Sequence, residues 1–343
     1  MKKTFALLLA VLMMLSATAC GSAAPAPTQA PAATEAPAAT EAPAATEAPA
    51  EDASYTIGIC QLVQHPALDA ATEGFKDALT EKLGDKVSFS EQNASGDTTN
   101  CATIINGFVA SKVDLIMANA TPALQAAVSA TGTIPILGTS VTDYASALEI
   151  DGWTGTVGTN VSGTSDLAPL DEQAAMIKEL FPDAKNVALL YCSAEANSQY
   201  QVDVITGYLN DLGLTSKAFA FTDTNDVASV AQAACEFADV VYIPTDNTAA
   251  SNTEAIANVV LPAGIPVVAG EEGICGGCGV ATLSISYYDL GYATGLMAAK
   301  VLTGEANIAE MPIEYAPQVT KKYNADNCAK LNVTVPDGYE AMG

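Results

Sequence analysis

The strongest constraint on the fold of this chain is an internal duplication with a spacing of about 130 residues. An apolar run at 56–60 has the composition of a buried parallel strand, and the run at 186–192 repeats it. In both copies the run is followed by a polar loop, an amphipathic helix, a second strand, a capped helix and a third strand. Strand, helix, strand, helix and strand, occurring twice, predict two doubly wound parallel-sheet lobes of the α/β class.

Polar loops follow the predicted strands at the end where parallel sheets of this class bind ligands. Six loops fall there: residues 60–65, 119–122, 139–143, 193–198, 245–248 and 270–272. Helix capping and turn formation explain the composition of each loop taken singly. Their common position at one end of both sheets favours a cleft between the lobes that is lined from both sides and suits a small molecule.

The charged residues of the chain exclude several classes of function. The formal net charge is −26, arginine does not occur, and His65 is the single histidine. Nucleic-acid binding needs clustered cations, so nucleic acid is not expected as a partner. One histidine cannot build a histidine-rich metal site, and we expect neither a metal nor a cofactor. Without a guanidinium group, a bound anion must be held by backbone N–H groups, hydroxyls, side-chain amides or a lysine.

The start of the chain has the pattern of an exported and lipid-anchored protein. Two lysines precede an apolar run at 5–15 that is too short to span a bilayer, and small residues lead from it to Cys20. We expect residues 1–19 to be a signal peptide and Cys20 to carry a lipid; a secreted protein without a lipid is the alternative. Residues 20–54 are nearly all Ala, Pro, Thr, Glu and Ser, which predicts a disordered tether. These features predict a location on the extracellular face of the cell membrane of a Gram-positive-type bacterium.

Seven short segments resemble the signature segments of one protein family: residues 63–70, 120–123, 163–166, 193–198, 244–248, 270–272 and 287–291. In order and spacing they resemble tryptophan/tyrosine-type ABC transporter substrate-binding proteins over essentially the whole body of the chain. The resemblance implies a type I periplasmic-binding fold, in which two lobes joined by a hinge of crossing strands close on a small molecule. It also implies no catalysis, an aromatic amino acid as the commonest ligand, and delivery by a monomer to an ABC permease and its ATPase.

The resemblance points to residues that line the cleft: Thr121, Thr142, Ser165, Asn197, Asp246, Asn247 and Glu271. An acid such as Asp246 or Glu271 suits the α-ammonium group of an amino acid. Hydroxyls such as those of Thr121 and Ser165, together with backbone N–H groups, suit its carboxylate, as the lack of arginine demands.

Apolar and aromatic residues are expected around the ligand side chain: Val63, Tyr191, Tyr200, Tyr287 and Tyr288. The last two fit packing in the hinge equally well. His65, just before Pro66, is expected to end a loop and cap a helix, with a titrating role as the alternative.

The fold of the family divides the chain into two discontinuous lobes. Lobe 1 is expected to comprise residues 55–162 and about 286–311, and lobe 2 residues 163–285 and about 312–343.

The cysteines leave a second functional class open. Seven remain in the body besides Cys20, and Cys275 and Cys278 have the Cys-X-X-Cys spacing. A structural loop disulfide between these two is the favoured interpretation, with reduced thiols next. The rival function is a surface thiol oxidoreductase that uses the same pair. A ligand sensor that presents the same receptor body to a membrane protein shares every feature above.

Overall fold

A computed structural model describes residues 54–316 and 318–342. The predicted signal peptide, the lipid-bearing Cys20 and the tether as far as residue 53 lie outside the described residues. Among the described residues, no helix is both long enough and apolar enough to cross a membrane.

The first lobe begins with five strands that alternate with helices. The strands are β1 (Tyr55–Gln61), β2 (Val87–Asn93), β3 (Leu115–Asn119), β4 (Ile136–Val141) and β5 (Val161–Ser165). The helices are α1 (Pro66–Leu83), α2 (Thr98–Ser111), α3 (Thr121–Ala130) and the short α4 (Tyr144–Ala147). Strands β3 and β4 are buried along their whole length, because helices cover both faces of the sheet.

The second lobe repeats this pattern. Its strands are β6 (Asn186–Cys192), β7 (Thr215–Phe221), β8 (Val240–Ile243), β9 (Val267–Ala269) and β10 (Ala281–Ser284). Its helices are α5 (Leu170–Leu180), α6 (Ala196–Asp211), α7 (Val227–Phe237), α8 (Asn247–Ala250), α9 (Thr253–Ala263) and α10 (Glu272–Cys278). The chain then continues through α11 (Tyr287–Leu302), β11 (Glu314–Tyr315), β12 (Thr320–Tyr323), α12 (Ala325–Leu331) and β13 (Glu340–Ala341).

The two sheets have equivalent strand orders. The first sheet runs β11-β5-β4-β3-β1-β2, and the second runs β13-β12-β10-β9-β8-β6-β7. The pairs within the first sheet are all parallel, and in the second sheet β12 is antiparallel to β10. The predicted fold class of two doubly wound lobes is confirmed.

Three crossings connect the sheets and form the hinge. The chain leaves the first sheet after β5, returns between β10 and α11, and leaves again after β11. The first and last crossings come later than predicted, after residues 165 and 315 rather than near 162 and 311. The reason is that β11 pairs in parallel with β5, while the Ser162 hydroxyl donates to the Met311 carbonyl at 3.1 Å.

Helix α11 packs on the first lobe although it follows the strands of the second. Its Met297 and Ala298 join a buried cluster with Ile57, Phe75 and Leu115. Where α11 crosses α1, the two backbones approach at Gly291, and a Cβ atom there would overlap the carbonyl oxygen of Ala71. Glycine at this crossing therefore holds the returning helix against the first lobe.

Candidate functional site

A small, buried cavity lies between the lobes, at the carboxyl ends of the strands. The first lobe contributes His65, Leu68 and Ser140 to its wall, and the hinge contributes Asp166 and Tyr287. The second lobe contributes six residues: Asn197, Thr245, Asp246, Asn247, Ala250 and Glu271. Parallel strands from both sheets thus direct their terminal loops at one enclosed space.

Three carboxyl groups line the cavity and are almost completely buried. Asp166, Asp246 and Glu271 are 4%, 1% and 2% exposed, and none takes part in an ion pair found among the described residues. Burial raises the pKa of Glu271 to about 7 and also raises the pKa of Asp166. Burial, followed by the charge of Glu195, raises the pKa of Asp246. A cation is the group that this cavity lacks.

The three carboxyl groups differ in what holds them. Asp246 caps α8 by accepting the Ala249 N–H at 2.7 Å, and it accepts the Cys192 N–H at 2.6 Å. Glu271 caps α10 in the same way, through two backbone N–H groups. Because helix caps bind both of these side chains, each has a structural role whether or not a ligand is present.

Asp166 does not cap a helix, and side-chain hydroxyls are its main partners. It accepts the Thr142 hydroxyl at 3.0 Å and the Tyr287 hydroxyl at 2.9 Å. Hydroxyl donors can rotate, whereas backbone donors are fixed. Asp166 is therefore the carboxylate best able to exchange its partners for those of a ligand.

Three residues of the cavity wall carry unpaired polar atoms. His65 Nδ1, Ser140 Oγ and Asn197 Oδ1 are buried and have no hydrogen-bond partner within the described part of the chain. A buried polar group without a partner costs about 1–3 kcal/mol, so native proteins rarely leave several together. Ser140 also has a φ of 54°, in the left-handed region that few residues other than glycine adopt. Their clustering indicates a binding site for a polar ligand.

Hydrogen bonds cross the cleft beside the cavity. His65 Nε2 lies 3.2 Å from Asn247 Oδ1, and the hydroxyls of Thr142 and Thr245 are 3.5 Å apart. A wider groove opens next to the cavity and shares Asn247 with it. The lobes are therefore in contact around the cavity, and the groove beside it is more open to solvent.

Comparison with known proteins settles the family. The family model for ABC transporter substrate binding proteins matches residues 56–341. The chain belongs to this family. The resemblance found in the sequence is thereby confirmed, and the family is a class of solute-binding proteins without enzymatic activity.

Relatives of this substrate-binding protein include proteins named for aromatic amino acids. It is 35% identical over 280 residues to a tyrosine-binding protein from Clostridioides difficile, covering 81% of each chain. It is 32% identical to a domain from Streptococcus pneumoniae solved in complex with L-Trp, covering 84% of this chain and 100% of that one, with a TM-score of 0.80. A substrate-binding protein from Clostridium difficile in a ligand-free, open form is 35% identical and covers 84% of this chain and 99% of that one, with a TM-score of 0.64.

The arrangement of the lobes resembles that of the ligand complex. The TM-score is higher for the complex with L-Trp than for the open structure, although the open structure has the more similar sequence. The enclosed cavity and the hydrogen bonds across the cleft agree with this ranking. The structure thus describes the substrate-binding protein with its lobes together.

Four of the seven residues predicted to line the cleft lie on the cavity wall: Asn197, Asp246, Asn247 and Glu271. The other three are not among the residues of the cavity wall. Thr142 bonds Asp166, and the Ser165 hydroxyl donates to the Thr142 carbonyl at 2.8 Å. Thr121 is buried in the first turn of α3 with an unpaired hydroxyl. Ser165 therefore has no free donor for a ligand carboxylate.

The aromatic residues mostly lie elsewhere. Of the five expected around the ligand side chain, the cavity wall includes only Tyr287. Tyr191 packs in the core of the second lobe, and Tyr288 is exposed and donates to Asp77 at 2.8 Å. Val63 lines the neighbouring groove rather than the cavity.

Asp166 was not foreseen as a lining residue, whereas Ser140 and His65 lie in loops predicted to line the cleft but were not singled out there as ligand-binding residues. Asp166 directly follows the predicted Ser165, so its position at a strand end was the available signal. The helix cap expected of His65 is wrong: the residue stands at the start of α1, but its side chain makes no capping hydrogen bond. The ring turns instead toward Asn247 on the other lobe.

Cys275 and Cys278 are separate thiols in the structure, so the expected disulfide is not formed. Both lie on α10, and the Cys278 thiol donates to the Ile274 carbonyl of the preceding turn at 3.4 Å. Both are fully buried, and burial raises the pKa of each thiol above its usual value. Buried, protonated thiols are poor nucleophiles, which argues against the oxidoreductase alternative. No cluster of residues that could hold a metal ion occurs in the described ranges.

Proposed function

We propose that the protein captures an aromatic L-amino acid in the cavity between its lobes and delivers it, as a monomer, to an ABC permease and its ATPase. The observation that carries the proposal is the set of three buried carboxyl groups with no ion-pair partner among the described residues. An α-ammonium group supplies the missing charge and three donors. Relatives that bind tyrosine or contain L-Trp support an aromatic side chain.

We assign the ligand ammonium to the hinge end of the cavity. Asp166 lies there with Tyr287, and the charge of Asp166 acts on Glu271. Two acids close to one ammonium group give a strong, charge-assisted site away from water.

We assign the ligand carboxylate to Ser140 and to backbone N–H groups at the strand ends. The Ser140 hydroxyl is buried and unpaired, whereas that of Ser165 is engaged. Because the chain lacks arginine, hydroxyl and amide donors must serve this role.

Thermal unfolding with each of the twenty amino acids at several pH values tests the proposal. At a free concentration 100 times the Kd, a bound amino acid adds about 2.7 kcal/mol to the free energy of unfolding. We expect this stabilisation for aromatic amino acids and expect it to grow between about pH 5 and pH 8.

The sign of the pH effect follows from the raised pKa values. A carboxyl group whose pKa is higher in the fold than in the unfolded chain stabilises the fold below its unfolded pKa, and this contribution is lost as pH rises through the folded pKa. For Glu271 that interval runs from 4.5 to about 7. A bound ammonium favours the ionised carboxylate and therefore offsets the loss. No stabilisation by any aromatic amino acid, or a stabilisation that shrinks from pH 5 to pH 8, contradicts the proposal.

We further propose that Cys20 carries a lipid and that residues 20–54 tether the binding body to the membrane. The proposal is supported by the basic, apolar and small-residue pattern that precedes Cys20. In cells fed a labelled fatty acid, we expect the wild type and Cys235→Ser to carry the label and Cys20→Ser to lack it. Cys235 is a half-buried cysteine of the body and serves as the matched control. Label that persists in Cys20→Ser excludes the anchor.

A further inference from the structure

His65 joins the two lobes at the cavity through one ring nitrogen and leaves the other unused. It is 6% exposed, it lies on the cavity wall, and its Nδ1 has no partner among the described residues. Resting on the proposed function, we propose that His65 Nδ1 accepts a hydrogen bond from the ligand side chain and so selects tyrosine and tryptophan over phenylalanine. Asn247 and Glu195 are positioning residues that fix the imidazole in the required form.

The tautomer of His65 follows from the orientation of the Asn247 amide. The Asn247 nitrogen donates to Glu195 Oε2 at 2.6 Å, which turns the amide oxygen toward His65. An amide oxygen can only accept, so the hydrogen must lie on His65 Nε2. A neutral imidazole carries one N–H, and Nδ1 is therefore an acceptor.

Glu195 is fixed independently of His65. The carboxylate is 3% exposed and accepts the backbone N–H groups of Asn247 at 3.0 Å and Thr248 at 2.8 Å. It also accepts the Thr248 hydroxyl at 2.8 Å. Burial lowers the pKa of His65, which keeps the imidazole neutral at neutral pH. The unpaired Nδ1 of this cavity-wall residue is thus an acceptor with a lone pair rather than a donor.

The position of His65 sets which part of the ligand it meets. The hinge end of the cavity, with Asp166 and Tyr287, is assigned to the ammonium. Asn247, the partner of His65, is shared with the open groove on the other side. An aromatic side chain that extends from the hinge toward the groove brings a phenol O–H or an indole N–H to the side of His65. Phenylalanine brings no donor and leaves Nδ1 unpaired.

Two substitutions separate the two nitrogens of the ring. The carboxamide of His65→Asn reaches the position of Nδ1, whereas that of His65→Gln reaches the position of Nε2. His65→Asn therefore keeps the acceptor for the ligand, and His65→Gln keeps the link to Asn247.

Calorimetric titration of the wild type and of each variant with L-tyrosine and L-phenylalanine gives the ratio of the two affinities. A general loss of packing lowers both affinities and leaves this ratio unchanged. In the wild type we expect tyrosine to bind at least about 10-fold more tightly than phenylalanine, since a site that pairs a ligand donor rejects analogues that lack it. We expect His65→Gln to bring the ratio near one and His65→Asn to retain most of it. A ratio near one in the wild type, or an unchanged ratio in His65→Gln, overturns the inference. The second result would make Asn197 Oδ1, another unpaired acceptor on the cavity wall, the partner of the ligand donor.

Nuclear magnetic resonance gives a second measurement that needs no variant. Because His65 is the single histidine, protein labelled with ¹⁵N-histidine and made without a histidine tag reports this ring alone. We expect the Nε2–H tautomer, and an Nδ1 resonance that moves on addition of L-tyrosine but not of L-phenylalanine. A hydrogen on Nδ1, or equal shifts with both ligands, overturns the inference. Wild-type protein that binds no aromatic amino acid removes the proposed function and this inference together, whereas binding with an unselective ratio removes the inference alone.

Discussion

Asp166→Asn should lower the affinity for L-tyrosine by on the order of 100-fold or more. The carboxylate of Asp166 is buried between the hydroxyls of Thr142 and Tyr287, at the hinge end of the cavity. An amide in its place leaves the ligand ammonium facing a neutral group where water cannot replace the lost charge. Calorimetric titration measures the change directly.

The same substitution should leave the ligand-free fold at least as stable as before. Burial raises the pKa of Asp166 and so disfavours its ionised form in the ligand-free protein, a cost that the neutral amide does not carry. Asp289→Asn removes a charge from an exposed position near the start of α11 and is the matched control, with no expected change in affinity. Wild-type affinity in Asp166→Asn, together with lost affinity in Glu271→Gln, would transfer the ammonium to Glu271.

Gly291→Ala should lower the free energy of unfolding more than a methyl group added at any other glycine of α11. Its Cβ would overlap the Ala71 carbonyl of α1, and a backbone atom cannot move aside as a side chain can. The helices must separate, which costs about 1–3 kcal/mol, and the apolar cluster around Phe75 and Met297 loosens with them. Thermal unfolding should show a decrease in Tm of about 2–4 °C for each kcal/mol lost.

Gly107→Ala is the control for this prediction. Gly107 lies within α2 and is exposed, and a methyl group at its Cα would meet no other atom within 4 Å. Alanine there should stabilise the helix by about 0.5–1 kcal/mol, because it has less backbone freedom to lose. Equal changes in Tm for the two substitutions would contradict the prediction, because they would show that α1 and α11 can accommodate a methyl group where they cross.

Most of the fold could be predicted from the sequence because its signals are local. The apolar run of β6 repeats that of β1, and side-chain caps such as Asp97 mark where helices begin. Parallel pairing of such strands leaves few topologies open. The hinge was harder to predict from the sequence, because the two residues of β11 form a strand only through their pairing with β5.

The residues of the site also differ in whether a local sequence pattern could indicate them. The family resemblance pointed to Asn197, Asp246 and Glu271, and each stands at the start of a helix after a buried strand, in a loop predicted to line the cleft. Asp166 depends on Tyr287, which lies 121 residues further along the chain. His65 depends on Asn247, 182 residues away, and no local pattern reports such a partner.

The interleaved hinge also bears on how the chain acquires its structure. The first sheet lacks β11, and α1 lacks its partner α11, until the strands of the second lobe have been made. The second sheet in turn is complete only with β12 and β13, which follow β11 in the chain. Neither lobe can therefore finish folding as synthesis proceeds, and the contacts that complete both are long-range and slow to form. Such a delay suits the proposed export, in which the chain crosses a membrane unfolded before its two halves close.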